Sequence, residues 1–218
     1  MSATEELLKK IDSGAALFYW NILDFDVEEL VQLLGPRIIQ TSGKNYAIAM
    51  HREDPTDCSD RTEYFDWHSD GLYHPTPPKF VLLHCLNSGN GQIHTDLADV
   101  QNVLAKLSPD RLQTLSRLCS HYIGHGGNFD HRILLNNKIL LASRGYVSPL
   151  TYLPLEEQPS IRDIGEALSE LYLYLDCSAV SYKWRAGDTL IFNQYQYLHR
   201  RNSAVIDRDR KLIRMWFT

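Results

Sequence analysis

Short extended segments bounded by turn residues recur along this chain and limit the folds that it can adopt. The clearest is Lys79 to Leu86 (KFVLLHCL), a mostly apolar run that is followed by the turn NSGNG. A run of this kind is typical of a strand that is buried on both faces. Further extended segments are predicted at Ala15 to Trp20, His94 to Val100, Lys138 to Val147, Val180 to Trp184, Thr189 to Phe192 and Lys211 to Phe217.

Helices are predicted where a capping side chain precedes an apolar pattern of helical spacing. They begin at the caps Asp26, Ser108 and Ser160 and end near Leu34, Leu118 and Leu175. Strands and helices do not alternate regularly, so the pattern favours a mainly β sandwich or barrel with helical decoration. We expect one domain over 1–218, with a polar, lid-like loop at about 41–66.

Charge and short motifs exclude several classes of protein. The chain has 22 Lys and Arg against 27 Asp and Glu, and it lacks the basic stripe that a nucleic-acid-binding protein usually has. It also lacks the glycine-rich phosphate loops of nucleotide-binding enzymes. The four cysteines form no CxxC pair, which favours free thiols in a reducing compartment. The start, MSATEELLKKIDSG, predicts a polar helix rather than a signal peptide, so we expect a cytoplasmic protein that binds no membrane.

Histidine followed two residues later by a carboxylate is the most informative chemical pattern. Two histidines and one carboxylate hold Fe(II) on one face and leave other positions open. In an extended segment, residues i and i+2 point the same way. The pattern occurs three times, as His51-Arg52-Glu53, His68-Ser69-Asp70 and His94-Thr95-Asp96.

The context favours His68 and Asp70 as metal ligands. Gly71 follows them and permits a sharp turn beside the metal. The motif at His51 lies in the polar loop and is expected to be solvated, whereas His94 is expected to be structural. His121 and His125 are spaced as on a helix and form an alternative pair, but the glycines around them disfavour a helix there.

The second histidine of the site is placed at His199, in the segment AGDTLIFNQYQYLHRR. A turn and an apolar strand before it would aim its imidazole into a barrel. Arg210 and Arg214 follow, and a spacing of four puts both side chains on one face of a strand. Two guanidinium groups on the face of a buried strand require anionic partners, and a dicarboxylate co-substrate and an acidic substrate would supply them.

These motifs together resemble the taurine dioxygenase and clavaminate synthase superfamily of Fe(II)/2-oxoglutarate oxygenases. The resemblance spans roughly Gly14 to the last residue and rests on WHSDG, PPKFVLLHCLNSGNGQIHTDLADV, GDTLIFNQYQYLHRR and DRKLIR. It implies a double-stranded β-helix, or jelly roll, similar to the cupins. The segment before His68 is shorter than in typical members, so we expect a trimmed substrate pocket.

The resemblance also implies the roles of individual residues. His68, Asp70 and His199 match the iron ligands, and Thr95 and Arg210 match the contacts to the distal carboxylate of 2-oxoglutarate. Arg214 matches an arginine that in some members contacts an acidic group of the substrate; its alternative is a salt bridge to a carboxylate of the protein. Tyr46 and Tyr73 are further candidates for substrate contact, or else ordinary loop aromatics.

The implied function is oxidation by Fe(II), 2-oxoglutarate and O2, with no catalytic residue beyond the metal ligands. We expect hydroxylation of a small amino-acid-like or other carboxylate-bearing metabolite, free or tethered to a carrier protein, with desaturation and cyclisation left open. One alternative is a metal-binding jelly-roll protein without oxygenase activity, either a sensor or a degenerate homologue. Another is a zinc-dependent hydrolase or isomerase on the same barrel. Neither alternative explains the arginine pair.

Overall fold

Antiparallel sheets and helices that cover them make up the part of the chain that the structure describes. This computed structural model describes residues 3–12, 17–21, 26–39, 46–50, 65–122, 130–142, 145–202 and 207–218. The helices are α1 (Ala3–Asp12), α2 (Val27–Leu34), α3 (Val100–Leu104), α4 (Pro109–Ser116) and α5 (Ile161–Cys177). The strands are β1 (Leu17–Asn21), β2 (Ala47–Met50), β3 (Phe65–His68), β4 (Phe80–Asn87), β5 (His94–Asp99), β6 (Leu118–Tyr122), β7 (Asp130–Arg132), β8 (Leu134–Leu135), β9 (Lys138–Ile139), β10 (Gly145–Pro149), β11 (Val180–Lys183), β12 (Asp188–Asn193), β13 (Tyr197–Arg201) and β14 (Lys211–Phe217).

Two sheets face each other across an apolar interior. Within the described ranges, one has the order β1-β12-β4-β14-β2 and the other β11-β5-β13-β3. The interior cluster takes Val81 and Leu83 from β4, Leu190 from β12, Trp216 from β14 and Leu97 from the facing sheet. Alternate residues of β4 point the other way, so Phe80 and Leu82 pack outward. The mostly apolar sequence of β4 therefore reflects burial of both faces, as predicted.

Helices cover the outer faces of both sheets. Leu30 and Leu34 of α2 pack on the outer face of the five-stranded sheet. Leu171 and Leu175 of α5 pack with Trp67 on the outer face of the four-stranded sheet. The mainly β architecture with helical decoration is therefore confirmed. No helix within the described ranges is long and apolar enough to cross a membrane.

A small sheet, β10-β6-β7, lies beside the segment that follows β3. A polar group from each strand joins it together: His121 Nδ1 lies 2.5 Å from Asp130 Oδ1, and His121 Nε2 lies 2.7 Å from Ser148 Oγ. His121 is therefore in a strand, and its side chain is used within this sheet. His125 lies outside the described residues.

The helix caps occur where the sequence predicts them, and the far ends differ in places. Asp26, Ser108 and Ser160 each accept a hydrogen bond from a backbone N–H of the first turn. The second predicted helix ends at Ser116 rather than near Leu118, because Leu118 begins β6. Part of the predicted 41–66 loop is β2, an edge strand on β14; residues 51–64 lie outside the described residues.

Candidate metal centre

Two histidines lie directly opposite each other on neighbouring strands. His68 ends β3 and His199 lies in β13, and the two are paired in the antiparallel register. Their ring centroids are 4.1 Å apart, and the side chains are almost completely buried. The pairing of β3 with β13 thus brings together two imidazoles that are 131 residues apart in the sequence.

Asp70 completes the cluster from the turn that follows β3. Its Oδ1 lies 3.6 Å from His68 Nε2 and its Oδ2 lies 3.7 Å from His199 Nε2. One ligand atom from each of the three residues lies within 4.8 Å of the others. Gly71 reverses the chain at φ +69°, and a Cβ at this position would lie 2.6 Å from Pro78 Cδ. The turn therefore requires glycine next to Asp70.

The protonation of the cluster suits a divalent metal. His68 Nδ1 lies 2.7 Å from the carbonyl oxygen of Asp66, which can only accept, so Nδ1 donates to it and Nε2 is the nitrogen that faces Asp70. Burial lowers the pKa of His199 to about 3. Burial alone would raise the pKa of Asp70, but Arg214, His199 and His68 together hold it well below its usual range. At neutral pH the site therefore offers a neutral His199 imidazole and an ionised Asp70 carboxylate.

Two side chains of β14 contact the Asp70 carboxylate. Trp216 Nε1 donates to Oδ2 over 2.9 Å, and Arg214 Nη1 lies 3.4 Å from Oδ1. The Arg214 guanidinium also lies 4.6 Å from the centroid of the Trp216 ring. Trp216 was not predicted to belong to the site. Its position two residues after Arg214, on the same face of the strand, could have indicated that it lies there.

Arg210 is a buried cation that directly precedes β14. The residue is 5% exposed, and its Nε is a buried donor without a hydrogen-bond partner in the described part of the protein. Burial lowers the pKa of Arg210 to about 10, and attraction to Cys85 and Asp207 offsets part of this effect. The guanidinium is nevertheless cationic at neutral pH, which makes it a site for an anion.

Thr95 lies in β5 and points into the same interior. Its Oγ1 accepts a hydrogen bond of 3.0 Å from Trp184 Nε1, and the residue is 4% exposed. The hydroxyl hydrogen of Thr95 remains available as a donor, because Trp184 uses only a lone pair of the oxygen. Trp184 belongs to the interior cluster and is a second residue that the sequence argument missed.

The two tyrosine candidates for substrate contact differ in their position relative to this site. Tyr73 lies with its ring centroid 5.7 Å from that of Trp216, beside the cluster. Tyr46 directly precedes β2 and packs with Leu30 and Leu34 of α2, on the opposite face of the five-stranded sheet. The structure therefore brings Tyr73, but not Tyr46, to the vicinity of Asp70.

The competing motif His94-Thr95-Asp96 does not join the cluster. Asp96 is buried and accepts hydrogen bonds from Arg200 Nε and Asn202 Nδ2, both over 2.8 Å. These bonds link neighbouring strands of the four-stranded sheet, so Asp96 is part of a structural network. The motif at His51 and Glu53 lies outside the described residues.

The donor set fits Fe(II) on chemical grounds. Two imidazole nitrogens and one carboxylate, converging in a buried pocket, are the facial ligand set of non-haem Fe(II) oxygenases. Among the described residues, this is the cluster of His, Cys, Asp and Glu side chains that could hold a metal ion. The buried anion site at Arg210 fits the distal carboxylate of 2-oxoglutarate.

Comparison with known families decides the relationship. Residues 24–216 match the family model described as "Taurine catabolism dioxygenase TauD, TfdA family". This chain belongs to the TauD, TfdA family. The match covers most of the sequence and includes all three candidate metal ligands. The predicted resemblance is therefore confirmed.

One curated relative is named for a product that carries an isocyano group. The 3-((Z)-2-isocyanoethenyl)-1H-indole synthase of Fischerella ambigua (strain UTEX 1903) is 26% identical over 172 residues, which are 68% of this chain and 61% of that protein. The chain thus spans about three fifths of the length of this relative.

Solved structures confirm the fold of the TauD, TfdA family member. An asparagine oxygenase in complex with Fe(II), 3-hydroxyasparagine and succinate has a TM-score of 0.72 at 16% identity, over 98% of this chain and 78% of that one. PvcB from Pseudomonas aeruginosa has a TM-score of 0.72 at 20% identity, over 100% and 82%. The non-haem iron oxygenase OrfP, in complex with Fe and α-ketoglutaric acid, has a TM-score of 0.73 at 16% identity, over 100% and 80%. The predicted double-stranded β-helix is confirmed.

Proposed function

We propose that this protein is an Fe(II)- and 2-oxoglutarate-dependent oxygenase that hydroxylates a small amino-acid-like or other carboxylate-bearing metabolite. The observation that carries the proposal is Arg210, a buried cation whose Nε has no partner among the described residues, directly before β14, the strand whose Arg214 reaches Asp70. A metal-binding protein without oxygenase activity has no use for such a group. Membership of the TauD, TfdA family supports the same reading.

The roles of the residues follow from their positions. His68, Asp70 and His199 would hold Fe(II). Arg210 would pair with the distal carboxylate of 2-oxoglutarate through two parallel hydrogen bonds. The Thr95 hydroxyl would donate to the same carboxylate, since Trp184 already occupies its acceptor side.

The bound Fe(II) and 2-oxoglutarate would supply the oxidising chemistry, in which decarboxylation to succinate is coupled to oxidation of a substrate C–H bond by O2. The protein orients the ligands and excludes water, because the three metal-binding residues are at most 6% exposed. Desaturation or cyclisation would require the same residues, so the geometry selects the class of enzyme rather than the final product.

We propose that the substrate contacts Arg214 and Tyr73, which both lie next to the Trp216 ring. The side chain of Arg214 is 13% exposed, so it can meet an acidic group at the surface of the pocket. The solved relatives include an asparagine oxygenase, which supports a free amino acid as the first class to test. A substrate tethered to a carrier protein is the second class. We further propose that the enzyme is a single domain that acts in the cytoplasm.

Anaerobic addition of Fe(II) and 2-oxoglutarate tests the metal centre and the co-substrate together. Wild type should develop the visible metal-to-ligand charge-transfer band of the chelate. Asp70→Ala should not, whereas His94→Ala, which alters the other described His-x-Asp motif, should keep the band. Absence of the band in wild type under saturating conditions would refute the oxygenase assignment.

Succinate release then identifies the substrate class. We expect one member of a panel of free amino acids and small acids to stimulate 2-oxoglutarate turnover by wild type. Arg214→Gln should raise the KM of an acidic substrate while uncoupled 2-oxoglutarate turnover continues. An unchanged KM would remove Arg214 from the substrate pocket.

A further inference from the structure

Gln194 is a completely buried polar residue directly after β12. It is 0% exposed and lies among apolar strands. A buried side-chain amide is costly unless its oxygen and both of its N–H groups are hydrogen-bonded. The partners of this amide therefore indicate what Gln194 does.

The amide is satisfied by the loop that carries Asp70. Gln194 Oε1 accepts from the backbone N–H of Asp70 over 2.7 Å, and Gln194 Nε2 donates to the Asp70 carbonyl oxygen over 3.1 Å. Nε2 also donates to the carbonyl oxygen of Pro78. The backbone N–H of Gln194 donates to the carbonyl oxygen of Lys79 over 2.9 Å. A side chain thus binds both backbone polar groups of Asp70, as a neighbouring strand would.

This clamp acts where no β-ladder supports the metal ligand. His68 and His199 are held by the pairing of β3 with β13, whereas Asp70 lies in the turn after β3. Other bonds hold the residues near Asp70. The backbone N–H of Ser69 donates to the carbonyl oxygen of Leu141, and His131 Nε2 donates to the carbonyl oxygen of Leu72, both over 2.9 Å. Among these contacts, only the Gln194 side chain binds the backbone N–H and the carbonyl oxygen of Asp70 itself.

We propose that Gln194 is a positioning residue that holds the backbone of Asp70 so that its carboxylate points at the metal. The proposal rests on the metal centre of the proposed function and adds a residue 124 positions away in the sequence to it. Gln194 acts through Asp70 and does not touch the metal. Partners of this kind typically change metal affinity by roughly 10–100-fold when they are removed.

Co(II) titration of the apoprotein, followed by its visible absorption, tests the proposal without turnover. Gln194→Met has a similar size and removes both hydrogen-bonding functions, and it should weaken Co(II) binding by roughly tenfold or more. Gln196→Met is the matched control, because Gln196 is exposed two residues later, and it should bind Co(II) as wild type does. If Gln194→Met does not fold, Gln194→Asn keeps the amide on a side chain one methylene shorter and should weaken binding in the same direction.

A double-mutant comparison separates positioning from general packing. In an Asp70→Ala background, Gln194→Met should cause no further loss of Co(II) affinity, because its effect passes through Asp70. An equal loss in both backgrounds would show that Gln194 only supports the fold, and an unchanged affinity in the single variant would also overturn the proposal. If wild type itself binds no Co(II), the metal centre fails first, which is a different outcome.

Discussion

Replacement of Arg210 by methionine should stabilise the protein while it weakens 2-oxoglutarate binding. Burial lowers the pKa of Arg210 to about 10 from its ordinary range. At roughly 1.4 kcal/mol per pH unit, holding the guanidinium charged costs the folded state about 3 kcal/mol. The unfolded state does not bear this cost, so it reduces stability at every pH below about 10. Methionine fills a similar volume without a charge, and it should return up to about 3 kcal/mol.

Urea unfolding of the apoprotein measures the first effect, and titration of the charge-transfer band with 2-oxoglutarate measures the second. The variant should lose a buried charged pair to the co-substrate, which corresponds to roughly a hundredfold or greater rise in Kd. Arg208→Met is the control, since Arg208 is exposed two residues earlier, and both of its values should stay close to wild type. A less stable Arg210→Met protein with unchanged co-substrate affinity would refute the assignment of Arg210 as a buried anion site.

Three further predictions concern the surroundings of the site. Trp216→Phe keeps the ring but removes the donor to Asp70, so Co(II) affinity in a titration should fall by roughly tenfold. Gly71→Ala places a Cβ 2.6 Å from Pro78 Cδ at φ +69°, and its free energy of unfolding in urea should drop by about 1–3 kcal/mol. Burial lowers the pKa of His84, so the folded state resists protonation of its imidazole. The free energy of unfolding should therefore fall as the pH drops below about 6.5. In urea unfolding, the decrease in this free energy between pH 7 and pH 5 should be smaller in His84→Gln than in wild type.

The elements that local chemistry determines were predictable from the sequence. The β4 run is apolar on both faces, and the helix caps at Asp26 and Ser160 each bond the first turn of their own helix. Helix α3 was not predicted, because it has only five residues and its cap, Asp99, belongs to the preceding strand pattern. Strand β3 was missed for a related reason: four residues in a charged stretch carry little periodicity.

The site divides in the same way. The His-x-Asp spacing and the arginine spacing are local, so the sequence indicated both. The register that places His68 opposite His199 is a long-range property, so the sequence indicated both histidines as ligands but not their pairing on neighbouring strands. Trp216 and Gln194 could not be assigned, because their roles depend only on which backbone or carboxylate they reach in the folded chain.

The position of β14 has a consequence for how this protein reaches its active form. This strand lies between β4 and β2 in the five-stranded sheet, although it follows both of them in the sequence. Until residues 211–217 have been synthesised, β4 and β2 each present an unpaired edge. Pairing over such sequence separations is slow, and exposed edges favour association with other chains. We therefore expect the nascent chain to depend on chaperones until the strand that carries Arg214 has inserted.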